Sequence, residues 1–396
     1  MLYHVYEFSR AALQPYRALA EAGQYLSSSP FSPLSYTYGG KAMGAALKLF
    51  RDVTQRFGKP TFNLPAREHI LMRKPFCQLV HFEPERPKRA APRVLLVAPM
   101  SGHYATLLRG TVAALIPDHD IAITDWRDAR MVPNSKGRFD LDDFIDYIID
   151  FIRLLGPDVH VIAVCQPSVP VLAAVSLMAA GGDPATPRSL TLMGGPVDTR
   201  RNPQAPNQLA TSRPLSWFKR HVITRVPFNY PGFMRRVYPG FLQLQGFMSM
   251  NLDQHIDAHV RQFNHLIEGD GDNVEKHQAF YDEYMAVMDL TAEFYLDTIK
   301  TVFQDHALPR GEMRHRGQLI EPAAITRTAL FTIEGERDDI TGRGQTRAAH
   351  DLCTGLADDQ RQHYEQKGVG HYGVFNGRRW RQHIAPRIAD FIRAHG

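Results

Sequence analysis

The chain has 396 residues, long for one compact core but suited to an α/β domain carrying a large insertion. Its net charge of +5 is a mild basic excess, too weak to imply a nucleic-acid partner. Three scattered cysteines, Cys77, Cys165 and Cys353, make neither a disulfide framework nor a zinc spacing, which points to a reducing compartment.

The opening Met1-Leu2-Tyr3-His4-Val5-Tyr6-Glu7 lacks the basic start and continuous apolar core of a signal peptide. Residues 1–75 read as a mainly helical extension packed on the core, with the best helical segments at 11–24 and 41–57 and a Ser-, Pro- and Tyr-rich loop at 27–40. From 76 to 197 apolar strands alternate with helices, as in the first part of an α/β core. Strands are predicted at 77–82, 93–98, 121–124, 159–164 and 189–192, and helices at 139–155 and 169–180. Five aspartates between 140 and 150 make the first of these helices amphipathic rather than membrane-spanning. The alternation stops near Asp198 and resumes at 329–333, so 198–328 reads as a cap insertion and 329–396 as the second part of the core. That part is expected to hold a helix at 346–356, a strand at 363–366 and a terminal helix at 378–394. Such alternation predicts a mostly parallel central sheet flanked by helices on both faces. No transmembrane segment is expected, and a soluble cytoplasmic protein follows.

The strand at 159–164 stops at Cys165-Gln166-Pro167, and a helix begins at once. A nucleophile at the apex of a strand–turn–helix is held clear of the sheet, with a helix N-terminus behind it that favours a thiolate. The usual elbow has glycine two residues either side of the nucleophile; here Ala163 and Pro167 stand there. A nucleophilic cysteine needs a base, and the base an orienting acid. In α/β-hydrolases these follow in the order nucleophile, acid, histidine. The strand at 329–333 runs into Glu334-Gly335-Glu336-Arg337-Asp338-Asp339-Ile340, and the last strand into Lys367-Gly368-Val369-Gly370-His371-Tyr372-Gly373. His371 is the candidate base, its neighbouring glycines allowing the backbone to turn the ring inward. Asp338 and Asp339 compete as the acid; the hydrolase pattern Gly-Glu-x-Asp-x-Ile selects Asp338 and leaves Asp339 to bond within the turn. The candidate oxyanion donors are the backbone N–H groups of Gln166 and, in the loop Ala98-Pro99-Met100-Ser101-Gly102-His103, of Met100. Ser101 and His103 lie close enough in sequence to line the mouth. Asp270-Gly271-Asp272-Asn273 resembles the start of a calcium loop, but the remaining ligand spacing is absent, so no metal is expected there. No phosphate loop or zinc helix motif is present, and no cofactor is expected.

The insertion has a charge split. Residues 199–252 contain no Asp or Glu but several arginines and aromatics, Trp217, Phe218, Arg235 and Arg236 among them. One reading is a loop-rich cap whose aromatics form a small core. The other is a lid, with Trp217 and Phe218 touching substrate and exposed members of the stretch docking on an apolar or anionic surface. Residues 253–304 are acidic and helical, a scaffold for that cap.

With these residues in view, the chain resembles the intracellular poly(3-hydroxybutyrate) depolymerases, the polyhydroxyalkanoate depolymerase family. The resemblance spans nearly the whole length and rests on the opening heptapeptide, the loop 98–103, Val164-Cys165-Gln166-Pro167, Gly335-Glu336-Arg337-Asp338-Asp339-Ile340 and Gly370-His371-Tyr372-Gly373. Cysteine in place of serine, without flanking glycines, is a feature of that family. The resemblance implies an α/β-hydrolase fold with a cap, a triad of Cys165, His371 and Asp338, and an acyl-thioester intermediate. It also implies, as substrate and partner, a polyester stored in cytoplasmic polyhydroxyalkanoate granules, cleaved to 3-hydroxybutyrate monomers or oligomers. The chain is similar, more distantly, to polyhydroxyalkanoate synthases. A synthase-like acyltransferase and a non-catalytic granule-associated protein therefore stand as alternatives. Neither the acyl acceptor, water or a thiol such as coenzyme A, nor homo-oligomerisation is decided by these motifs.

Overall fold

The computed structural model describes residues 2–55, 57–85, 91–250, 252–268 and 271–396. Met1 of the opening heptapeptide and Asp270 of the 270–273 turn lie outside the described residues.

Eight strands form one sheet: β1 Ala66–Arg73, β2 Cys77–Pro84, β3 Arg93–Val97, β4 Asp120–Trp126, β5 His160–Val164, β6 Ser189–Met193, β7 Ala329–Gly335 and β8 Arg361–Gln366. Their spatial order is β1-β2-β4-β3-β5-β6-β7-β8. β2 runs antiparallel to β1 and β4, and the other neighbours are parallel. Every residue of β5, β6 and β7 is buried, as a strand covered on both faces requires. The architecture is that of an α/β-hydrolase.

The helices are α1 Leu2–Ser28, α2 Tyr38–Thr54, α3 Leu141–Leu155, α4 Ser168–Ala180, α5 Gly240–Met250, α6 Leu252–Glu268, α7 Gly271–Tyr284 and α8 Ala385–Ala394, with shorter pieces between. α3 starts where expected because Asp140 caps it and Asp143 reciprocates, a capping box. Its aspartates face outward while Phe144, Ile148, Phe151 and Ile152 enter the core. α5, α6 and α7 belong to the insertion between β6 and β7, together with helices at Ala205–Ser212, Leu215–His221 and Ala292–Thr298. Among the described residues no helix is long and apolar enough to cross a membrane.

Four sequence expectations change. β1 was not anticipated: as an edge strand it exposes five consecutive residues, so it carries no alternating pattern. The helix expected at 346–356 shrinks to Ala349–Leu352, because buried Glu334 captures the backbone N–H groups of Gly344, Thr346 and Arg347 at 2.8, 2.8 and 2.9 Å. The terminal helix is broken into Gly377–Arg379, a π-helical turn Trp380–Ile384 over the buried Trp380, and α8 with proline in its first turn. Finally, of the two readings of residues 199–252 the small-core one fits Phe218 and Arg235, both of which are inside. Phe218 is 2% exposed, in a small cluster with Ala210, Ala292 and Leu296. Arg235 is 5% exposed and donates to the carbonyls of Val132, Gly137 and Pro133 at 3.1, 2.9 and 2.8 Å. A guanidinium has five donors to spend, and here they tie the insertion to the core instead of facing a partner.

Candidate active site

β5 delivers Cys165 to a sharp turn. Its φ is +65°, a left-handed conformation that a non-glycine residue holds only when its surroundings over-determine it. They do: the Cys165 N–H donates to the Met193 carbonyl at 2.7 Å, and its own carbonyl accepts from Ser168 at 3.0 Å as α4 begins. The elbow lacks its usual glycines, and the room they would have made comes from the adjacent strand's end. A Cβ on Gly195 would sit 1.9 Å from Ser168 Oγ and 3.1 Å from the Cys165 carbonyl oxygen. Gly194, at φ +55°, passes beneath the His371 ring; a Cβ there would lie 3.3 Å from His371 Cε1 and 3.5 Å from Asp338 Oδ2. Sequence reasoning missed both glycines, although Gly194-Gly195-Pro196 directly after a buried strand was the available signal.

β7 runs into the acid turn. Asp338 is buried, and its Oδ2 and Oδ1 lie 2.8 and 3.0 Å from His371 Nδ1. Oδ1 also accepts from the N–H groups of Ile340 and Thr341 at 3.0 and 2.8 Å. The local turn-forming role expected of Asp339 thus falls to Asp338 itself, which braces the turn and the imidazole with one carboxylate. The turn is laced to the histidine loop by Glu336 N–H to the Gln366 carbonyl at 3.0 Å and Arg337 N–H to that of Val369 at 2.9 Å. Of the loop's glycines, Gly368 is left-handed at φ +69°, and a Cβ on Gly373 would come within 2.7 Å of Val369 Cβ. Gly370 has an ordinary extended conformation. Burial alone would lower the His371 pKa, but Asp338 on one side and Cys165, its hydrogen-bond partner on the other, raise it well above the usual histidine value. Cys165, His371 and Asp338 are therefore brought into one array.

The loop after β3 is held at its root. Ala98 N–H donates to Thr124 Oγ1 at 2.9 Å, and the Trp126 indole donates to the Ala98 carbonyl at 2.8 Å. Gly102, at φ +103°, lies where a Cβ would meet Gln243 Oε1 at 2.8 Å, and its carbonyl accepts from Met288 N–H at 2.7 Å. His103 is buried against the Tyr284 carbonyl at 3.0 Å; burial pushes its pKa down to about 4, so the ring is neutral and donates there. Met100 N–H points at the Gln166 side chain, 3.3 Å from Oε1, while Gln166 Nε2 is buried without a partner. A carboxamide oxygen thus occupies the position facing the Met100 donor. Tyr372, unassigned by sequence reasoning, hydrogen-bonds Tyr284 near Cys165, and burial, Tyr284 and Cys165 keep it a neutral phenol.

These groups open on a cavity of about 480 Å³ between the core and the insertion that follows β6. Met100, Ser101, His103, Cys165, Gln166 and His371 form its core side, and Phe218, Gln243, Phe294 and Tyr295 come from the insertion. Trp217 does not line it; it is half-buried, edge-on to Phe218 and stacked on His221. Among the described residues no lining residue is Asp, Glu, Lys or Arg. Among the described residues no group of three or more His, Cys, Asp or Glu is placed to hold a metal ion.

A family model described as PHB de-polymerase C-terminus matches residues 194–396. Among solved structures, the chain is similar to a monoacylglycerol lipase from Paleococcus ferrophilus at 14% identity and TM-score 0.45, covering 77% of this chain and 95% of that one. It is similar to a meta-cleavage product hydrolase from Pseudomonas fluorescens at 13% identity and TM-score 0.46, covering 84% and 100%. For the naproxen esterase of Bacillus subtilis the values are 12%, 0.43, 90% and 98%. No curated protein matches the chain.

Proposed function

We propose, since the chain belongs to the PHB de-polymerase family and is a carboxylic ester hydrolase, that it cleaves poly(3-hydroxybutyrate) by covalent catalysis at Cys165. The observation that carries this reading is the array of Cys165, His371 and Asp338 at the wall of a largely apolar cavity. His371 takes the thiol proton while Asp338 holds its Nδ1–H, so that Nε2 faces the sulfur. The Cys165 sulfur attacks the ester carbonyl carbon, and the developing oxyanion displaces the Gln166 carboxamide oxygen from the Met100 N–H, with the Gln166 N–H as second donor. The carbon–oxygen ester bond breaks, His371 returns the proton to the leaving hydroxyl, and the acyl group stays on sulfur as a thioester. Water, deprotonated by His371, then releases the 3-hydroxy acid and restores the thiol. The insertion at 198–328 acts as the cap over this site, and the cytoplasmic polyhydroxyalkanoate granule is the place of action.

A lining without Asp, Glu, Lys or Arg among the described residues, and with its His371 ring already paired by Asp338, supports a neutral ester as the bound species. A carboxylate entering the cavity would lose water and find only the His371 ring, which Asp338 already pairs, and that is costly. The same property favours departure of the product, which becomes an anion at the moment it is cut free. A 3-hydroxybutyrate trimer capped as its neutral N-methylamide is expected to show kcat/KM about tenfold or more above that of the free acid trimer. Equal values would mean that the cavity seats the carboxylate end, contrary to this reading. Cleavage of neither trimer, nor of amorphous polymer, would remove the polyester assignment altogether. Growth of polymer from a hydroxyacyl-coenzyme A thioester would favour the synthase alternative.

A further inference from the structure

α1 carries apolar residues on two sides, one covered, with Tyr3 and Ala20 buried, and one open. Val5, Phe8, Ala12, Tyr16, Leu19 and Leu26 recur at helical spacing and are all exposed, so they form one apolar stripe facing solvent. Glu7, Arg10, Arg17 and Glu21 fall on the opposite side of the same helix. At 1.5 Å rise per residue the stripe is about 30 Å long. It continues into the turn between α1 and α2, where Phe31 is 94%, Tyr36 74% and Tyr38 75% exposed. Residues 22–40 contain no charged side chain. Apolar surface of this extent left open marks a contact with something else.

We propose that this face of the N-terminal helical pair docks on the surface of the solid polyester. The inference rests on the polyester reading above, and two observations choose this occupant. The first is charge: the most exposed part of the face, at residues 22–40, has no charged side chain to attract an anionic headgroup, and a polyester surface is itself uncharged. The second is attachment. Tyr3 donates to Asp289, which also accepts from Gly240 N–H at 3.0 Å, and Tyr6 stacks on Phe241 with ring centroids 4.2 Å apart. Both partners in these contacts belong to α5 or its anchor, and α5 supplies Gln243, Gly246 and Ser249 to the cavity wall. The docking face is thereby fastened to the wall of the cavity that must receive a chain lifted from the solid. An interface between two copies would need no such link.

The stretch 199–252, expected from its sequence to do this, contributes Phe218 and Arg235 to the interior instead. The test is the full-length variant Phe31→Asp, Tyr36→Asp, Tyr38→Asp, at positions whose exposure leaves folding undisturbed. Co-sedimentation with amorphous poly(3-hydroxybutyrate) particles is expected to weaken about tenfold or more, and particle hydrolysis at low enzyme to fall with it. Hydrolysis of the soluble trimer amide is expected to stay within about twofold. Unchanged particle binding would overturn the proposal. So would a wild-type dimer in gel filtration that the variant breaks, which would make the face an interface between copies. Tighter binding of the wild type to phosphatidylglycerol vesicles than to particles would assign it to a membrane. Wild-type protein that binds particles but cleaves neither polymer nor trimer would sink the polyester hydrolysis reading and leave the docking face standing.

Discussion

Cys165→Ala is expected to lower kcat on amorphous polymer and on the trimer amide by about 10⁴-fold or more, the scale on which loss of a covalent nucleophile falls. The side chain is small and its neighbours are fixed by backbone bonds to Met193 and Ser168, so alanine should fold normally, with an unchanged thermal midpoint. Cys165→Ser keeps the geometry but substitutes a weaker nucleophile near neutral pH, and a small residue of activity is expected. Near wild-type turnover by the alanine variant would show that the chemistry runs elsewhere. Cys77 and Cys353 cannot substitute, since both are buried away from the cavity and burial pushes both thiols up in pKa.

His371→Ala is expected to cost as much as loss of Cys165, because the members of such an array act as one unit. Asp338→Asn should reduce kcat by roughly 10³- to 10⁴-fold, since an amide favours the wrong imidazole tautomer. Asp338 also accepts from Ile340 and Thr341, so part of the loss could arise from a loosened turn. The two effects separate on heating: a tautomer effect leaves the thermal midpoint near the wild-type value, whereas a broken turn lowers it. Asp339→Asn should leave kcat within about tenfold, because Asp339 acts on the Tyr284 and Tyr372 phenols and not on the imidazole. A larger loss at Asp339 than at Asp338 would reverse the assignment of the acid.

The sheet core was legible because its strands are buried on both faces and read as apolar runs, as at β5 and β7. β1 was hidden by the opposite property, an exposed edge with no alternation. The elbow, the acid turn and the histidine loop were visible as short motifs at the ends of predicted strands. Their supports were not: Gly195 makes room for Ser168 across a strand boundary, and Glu334 diverts the backbone after β7, and both are contacts between residues far apart in sequence. The cap was least legible. A basic, aromatic stretch has the same composition whether its arginines face a partner or, like Arg235, cap carbonyls inside the protein. The exposed stripe of α1 was equally hidden, because periodicity shows that a helix is amphipathic without showing which face is covered.

The proposed reaction turns on an acyl thioester at Cys165, and mass spectrometry of enzyme quenched in acid during turnover of the trimer amide tests it directly. The peptide carrying Cys165 is expected to gain the mass of whole 3-hydroxybutyryl units, and neutral hydroxylamine should remove the adduct, as it does a thioester. Turnover without any adduct on Cys165, or an adduct on a different side chain, would contradict it.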